Sequence, residues 1–198
     1  MTIVRKCAVM VSALLLTALL SACGAQETPH EEFLSLLDYE AQNRAFAYQS
    51  VNRMAKKTAA EDTGPFWQAY ADLEALSRAR YTPFLAKYDI AAQARWTTRL
   101  RGWAGGVVGG LFPETAMGIM QRATVAYVPK LERLAEIAPE STDNLKSAEA
   151  RAFFKFVVEQ EEVQAEALRL FSQGQTPQAA AHIAIFVDLH TQNPTPSQ

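Results

Sequence analysis

Residues 28–57 read TPHEEFLSLLDYEAQNRAFAYQSVNRMAKK, and this stretch decides the fold class. Thr28 is placed to cap a helix, Pro29 suits its first position, and Glu31 completes a capping box with Thr28. Phe33, Leu37, Ala41, Tyr48, Val51 and Ala55 then recur at the spacing that lines one helix face. The pattern breaks at Glu61 to Gly64.

The same reading extends toward the C-terminus. Gly64-Pro65 starts a second helix whose inward stripe is Phe66, Tyr70, Leu73, Tyr81, Phe84 and Tyr88, with Glu74 and Ser77 on that line. Pro83 should kink it or end it early. Ala91 to Phe112 reads as a long connection, with Arg95, Arg99 and Arg101 beside Trp96 and Trp103, then an apolar glycine run. A third helix is expected from Pro113 to about Ala138, striped by Met117, Met120, Thr124, Tyr127, Leu131 and Leu134 and bent at Pro129. Pro139 to Asn144 reads as a turn. The fourth, Leu145 to Phe171, is expected to bury Ala152, Phe153, Phe156, Gln160, Val163, Ala167 and Leu170. A short helix from Pro177 to about His190 should cover one end, and residues 191–198 read as a flexible tail. The composition, rich in Ala, Leu, Glu, Gln and Arg, favours helix over strand. The fold class is therefore all-α, with a four-helix bundle over residues 29–190 as the economical arrangement.

Toward the N-terminus the sequence reads as an address. Arg5 and Lys6 precede the apolar run Cys7 to Leu20, which is shorter than the roughly 20 residues of a spanning helix. Leu20-Ser21-Ala22-Cys23 resembles the lipobox of bacterial lipoproteins. The resemblance implies a signal peptide over 1–22, cleavage before Cys23, lipidation of its sulfur with a diacylglycerol carrying acyl chains such as palmitate, and a short tether over 23–28. Two or more acyl chains hold a protein stably at a membrane. Gly24 in place of Asp implies the outer membrane, facing the periplasm, if the cell is Gram-negative.

Removing 22 of 198 residues leaves 176, enough for one domain with a substantial core. Cys7 and Cys23 are the only cysteines, so the expected mature domain has neither a disulfide nor a free thiol. With a net charge of −2 and mixed signs along the chain, nothing resembles the basic stripe of a nucleic-acid binder.

Three segments resemble the ferritin-like superfamily, in particular the branch that hydroxylates demethoxyubiquinone. Asn43-Arg44-Ala45-Phe46-Ala47-Tyr48-Gln49 is similar to that branch's first-helix run. Trp103-Ala104-Gly105-Gly106-Val107-Val108-Gly109-Gly110, then Ala116-Met117, resembles its glycine-rich entry to helix three, and Phe156 to Leu168 its fourth helix in spacing. The likeness implies a di-iron site built from one Glu on each of two helices and Glu-x-x-His on each of the others. Carried over residue by residue, helix two offers Glu74 and Ser77, helix three Thr124, and helix four Gln160 and Val163. Helix one offers Glu40 by apolar phase or Tyr39 by ungapped match. Both histidines are missing, so the expectation is no metal and no cofactor.

Glu40, Arg44, Glu74, Ser77, Thr124 and Gln160 are then candidates for a polar pocket or remnant metal site, with Arg44 paired to Glu40 or Glu74 and Thr124 and Gln160 closing the network. Glu159, Glu162 and Glu166 read as a solvated face paired with Lys155 and Arg169. His30, His182 and His190 read as surface or cap residues. Trp103, Val107, Val108, Leu111 and Phe112 are candidates for contact with an apolar ligand or the membrane. The functional expectation is a non-catalytic envelope lipoprotein that binds a partner protein or a lipid- or quinone-like ligand. The alternatives are a membrane-associated metal-dependent oxidoreductase with a non-standard site and a structural accessory of an envelope complex.

Overall fold

A computed structural model of the chain describes residues 28–98, 127, 129–138 and 144–192. Among them the regular structure is helical throughout, without strands: the protein is all-α. Four long helices are described: α1 (Pro29–Lys57), α2 (Gly64–Ala86), α3 (Asn144–Ser172) and α4 (Thr176–Gln192). A further helical segment covers 129–136. The sequence segments 1–27 and 99–126, which hold the expected signal peptide, Cys23, Thr124 and the glycine run Trp103 to Phe112, lie outside the described residues, as do 139–143 and 193–198.

The start of α1 is the capping box expected from sequence. The Glu31 amide donates to Thr28 Oγ1 at 3.3 Å, and the Thr28 amide donates to Glu31 Oε2 at 2.9 Å. Two otherwise orphaned donors are thus satisfied reciprocally. At the other end, Lys56 and Lys57 sit where the helix dipole favours cations. The turn into α2 is tight enough that a Cβ on Gly64 would stand 2.6 Å from the Thr58 carbonyl oxygen.

Pro83 does not cut α2 short. The helix runs on to Ala86, because Pro83 is exposed in its last turn while Phe84 and Leu85 are buried beside it. Asp89, with φ 56°, then closes the end, and the Ile90 amide donates back to the Leu85 carbonyl at 3.1 Å. Between α3 and α4, Gly174 takes φ 76° while the Gln175 amide donates to Leu170 O and the Gly174 amide to Phe171 O, both at 3.0 Å. That pair of bonds is a Schellman cap, which needs a left-handed residue at its hinge.

Side-chain pairs set the directions of the helices. Phe33 meets Tyr88 and Arg44 meets Glu74, so α1 and α2 are antiparallel. Phe84 stacks on Phe153 at 3.8 Å and Phe66 on Phe171 at 4.2 Å, so α3 runs opposite to α2. The aromatic residues gather in two groups, one at each end of this packing. Phe33, Phe84, Tyr88, Phe153 and Phe154 form one, and Phe66, Trp67, Tyr70 and Phe171 the other.

The shortest helix differs from expectation. α4 does not cover an end; it lies lengthwise against both α2 and α3. Ala179, Ile183 and Phe186 are buried along its length, and Arg80 on α2 donates to the His190 carbonyl at 2.9 Å. Its 17 residues span about 26 Å at 1.5 Å per residue, long enough for a full lateral partner. Thr191 and Gln192, expected in the tail, belong to this helix. A second consequence falls on α3: packed by α4 as well, it buries Phe154, Val157, Glu161, Gln164 and Leu168 beyond the expected stripe, while Ala152 is exposed and Val163 and Leu170 are only partly buried.

Candidate functional site

Between the two aromatic groups the core turns polar, and Arg44 is its centre. Its side chain is 13 % exposed and reaches carboxylates from three helices. Nε lies 3.2 Å from Glu40 Oε1 on α1, one Nη 3.4 Å from Glu74 Oε1 on α2, and the other Nη 2.8 Å from Glu161 Oε1 on α3. All three glutamates are at most 2 % exposed. The contacts to Glu40 and Glu161 are charge contacts without hydrogen-bond alignment. Burial opposes the Arg44 charge, yet Glu161, Glu74 and Glu40 outweigh it and hold the guanidinium well above its ordinary pKa.

The carboxylates are held unequally. Glu40 accepts from two tyrosine hydroxyls, Tyr81 at 2.7 Å on one oxygen and Tyr127 on the other. Glu74 accepts from Gln164 Nε2 at 3.1 Å on Oε1, and its Oε2 is buried without a partner. Burial pushes the Glu74 carboxyl up to about 7, against the pull of Arg44, and pushes Glu161 upward as well. Burial and the negative charge of Glu40 likewise raise the Tyr81 and Tyr127 phenols, which remain donors at neutral pH.

Several sequence expectations are met here and others are not. Glu40, Arg44 and Glu74 converge, and the choice between Glu40 and Tyr39 falls to Glu40, since Tyr39 is 47 % exposed. Ser77 is buried but donates to its own helix at the Leu73 carbonyl, 2.8 Å away, rather than to the cluster. Gln160 is buried with neither amide atom hydrogen-bonded, so it does not close the network. Gln164, Tyr81 and Tyr127 fill that role, and Thr124 lies outside the described residues. Glu161 was missing from the expected set. The signal that could have found it is the run Gln160-Glu161-Glu162-Val163-Gln164, in which moving the register by one residue turns Glu161 and Gln164 inward.

Two cavities border this region. A small one of about 20 Å³ is lined by Arg44, Glu74, Tyr81, Tyr48 and Arg78 among others, enough for a water molecule, which needs roughly 10–15 Å³. An open cleft of about 510 Å³ lies between α1 and residues 88–95, lined by Leu34, Asp38, Gln42, Tyr88, Ile90 and Arg95. Its wall is fixed by Arg95, which donates to both Asp38 oxygens at 2.7 and 2.8 Å, and by Gln42, which accepts from the Arg95 amide and the Thr98 hydroxyl.

The chain matches no family model, no curated protein and no solved structure.

The donor set does not fit a metal pair. A guanidinium already lies within 3.4 Å of each converging carboxylate, and a cation placed among them would face its charge. Ser77 and Gln164 are the polar neighbours of Glu74 and Glu161 in sequence, and no histidine reaches the cluster among the described residues. Among those residues no three His, Cys, Asp or Glu side chains are arranged to hold a metal ion. The remaining histidines sit at the periphery. His190 packs against Phe156 and Phe186, 3.8 Å from Glu159, and burial lowers its pKa. The expected solvated face on α3 is present: Lys155 lies 3.6 Å from Glu159, and Arg169 2.6 Å from Glu166.

Proposed function

We propose that this chain is an envelope lipoprotein, anchored by acyl chains on Cys23, whose ferritin-like helical bundle is a non-catalytic binding module for a partner protein or an apolar, lipid- or quinone-like ligand. The observation that carries the non-catalytic part is Arg44 in contact with Glu40, Glu74 and Glu161. A cation supplied by the chain itself links three helices, and two of its partners, Glu40 and Glu74, are positions to which the resemblance would carry metal ligands. Such a centre lends position and specificity to a core more than it lends reactivity.

The binding part rests on the lipobox-like segment and the glycine run Trp103 to Phe112, both features of sequence. Among the described residues no helix is long and apolar enough to cross a membrane, so attachment falls to the anchor in this reading. The outer membrane, on its periplasmic side, is the favoured location where the cell has one.

Two measurements test the reading. Labelled palmitate should enter the wild-type chain and not Cys23→Ser; equal labelling of both removes the anchor. Full chain purified from iron- and manganese-replete cells should carry neither metal, and its organic extract should hold an acyl or isoprenoid compound if the ligand branch is right. An empty extract with a stable, crosslinkable envelope partner selects the protein branch. Near-stoichiometric iron or manganese overturns the non-catalytic reading.

A further inference from the structure

The cluster around Arg44 is unbalanced, with three buried carboxyl groups sharing one guanidinium. Two uncompensated charges in a core are expensive, and taking up a proton is the cheaper state. The geometry identifies which group takes it. Glu40 has a partner on each oxygen, the Tyr81 and Tyr127 hydroxyls donating to them while Arg44 lies at 3.2 Å. Glu161 has the shortest charge contact with the guanidinium, 2.8 Å, although its Oε1 accepts no hydrogen bond. Glu74 has the longest, 3.4 Å, a single amide donor on Oε1, and nothing on Oε2.

Glu74 also has a route for the proton. The water-sized cavity of about 20 Å³ borders Glu74 together with Arg44, Tyr81, Tyr48 and Arg78. Arg78 is exposed and lies over the ring of half-buried Tyr48 at 4.9 Å, so the cavity leads from Glu74 to the exposed flank between α1 and α2. A water there can accept a hydrogen bond from a protonated Oε2, which has no protein acceptor.

We propose that Glu74 is a proton-binding site of the folded chain, filled through this cavity, and that the proton removes one of the two uncompensated negative charges of the Arg44 cluster.

The charged and titratable groups facing Glu74 come from every helix around it. They are Glu40, Arg44 and Tyr48 on α1, Tyr70, Arg78 and Tyr81 on α2, Glu161 on α3 and Tyr127 from the segment before 129–136. From α4, His190 is engaged with Glu159 and the Phe156 and Phe186 rings instead. Tyr70, Tyr81 and Tyr127 have raised pKa values, so the exchange across neutrality belongs to the carboxyls. The sign follows from burial, which raises the Glu74 carboxyl from 4.5 to about 7. The folded chain then holds a proton the unfolded chain has lost. Its stabilisation is complete below the unfolded value and fades as pH climbs to the folded one.

The test is carbon-13 NMR of glutamate carboxyls in the full chain, titrated from pH 4 to 9, beside urea unfolding across the same range. One glutamate should titrate near pH 7, and the urea midpoint should fall as pH rises from about 4.5 to 7 and level off above. Glu74→Gln should remove that signal and flatten the midpoint. Glu161→Gln, which removes a carboxylate that raises Glu74, should move the signal to lower pH and keeps the test intact if the first variant does not fold. Absence of any glutamate titrating above the ordinary carboxylate range overturns the proposal, as does a signal unchanged in Glu74→Gln.

Discussion

Replacing Arg44 by Met removes the guanidinium that contacts Glu40, Glu74 and Glu161 and keeps most of the side-chain volume. Breaking a buried ion pair by deleting one partner costs about 3–5 kcal/mol, because the abandoned charge stays in the core. Here three carboxyls lose the same partner, which places the loss near the upper end of that range at pH 8. The assay is urea unfolding of the full chain. For an m-value of roughly 2 kcal/mol per molar, the midpoint should drop by about 2.5 M with an unchanged slope. The pH dependence gives the reasoning its sharper edge. Arg44 pulls the Glu74 and Glu161 carboxyls down, so its loss raises both further. A raised folded-state carboxyl stabilises in acid and gives up that stability as pH climbs. The penalty of Arg44→Met should therefore be smallest near pH 5 and widen toward pH 8. A loss under about 1 kcal/mol at pH 8, or one equal at both pH values, would refute the assignment of Arg44 as counter-ion.

Three further substitutions probe the frame that holds this centre. Thr28→Ala deletes the accepting oxygen of the α1 capping box and should cost about 1 kcal/mol in the same unfolding assay. Gly64→Ala drives a Cβ to within 2.6 Å of a backbone oxygen, so the turn must shift, and a loss of about 1–3 kcal/mol is expected in the same unfolding assay. Phe84→Ala removes the ring stacked at 3.8 Å on Phe153 and should lose about 3–5 kcal/mol, read as a midpoint shift without loss of far-ultraviolet helix signal at low urea.

How much of this was legible in the sequence depended on how many neighbours each helix has. On α1 and α2 one stripe of apolar residues carried nearly all the information. Phe33, Leu37, Ala41, Phe66, Leu73 and Phe84 are buried as the spacing required, and the capping box marked the first residue of α1. Glu40, Arg44, Glu74 and Ser77 were recognisable as interior because a polar side chain in phase with such a stripe has nowhere else to go. What periodicity could not give was partner choice: Ser77 turned to its own backbone, and the tyrosines Tyr81 and Tyr127, read as apolar stripe residues, became the donors to Glu40.

On α3 a single stripe was the wrong template. A helix flanked on one side by the Arg44 cluster and on another by α4 buries a wide sector, and Phe153, Phe154, Phe156 and Val157 are all in the core. Within such a sector Gln160 and Glu161 are both inside, and apolar phase cannot rank one above the other. Charge can. A buried guanidinium has to be matched by acids that reach it, and Glu161, 2.8 Å from Arg44, is the α3 residue that does so. The same requirement accounts for Gln164 one turn away, where its amide supplies the hydrogen bond that Arg44, at 3.4 Å from Glu74, makes only weakly. The centre of this core is thus specified by pairing, and the helices around it by periodicity. That division is why the fold class followed from one stretch of sequence, while the composition of its polar centre required the three helices to be seen together.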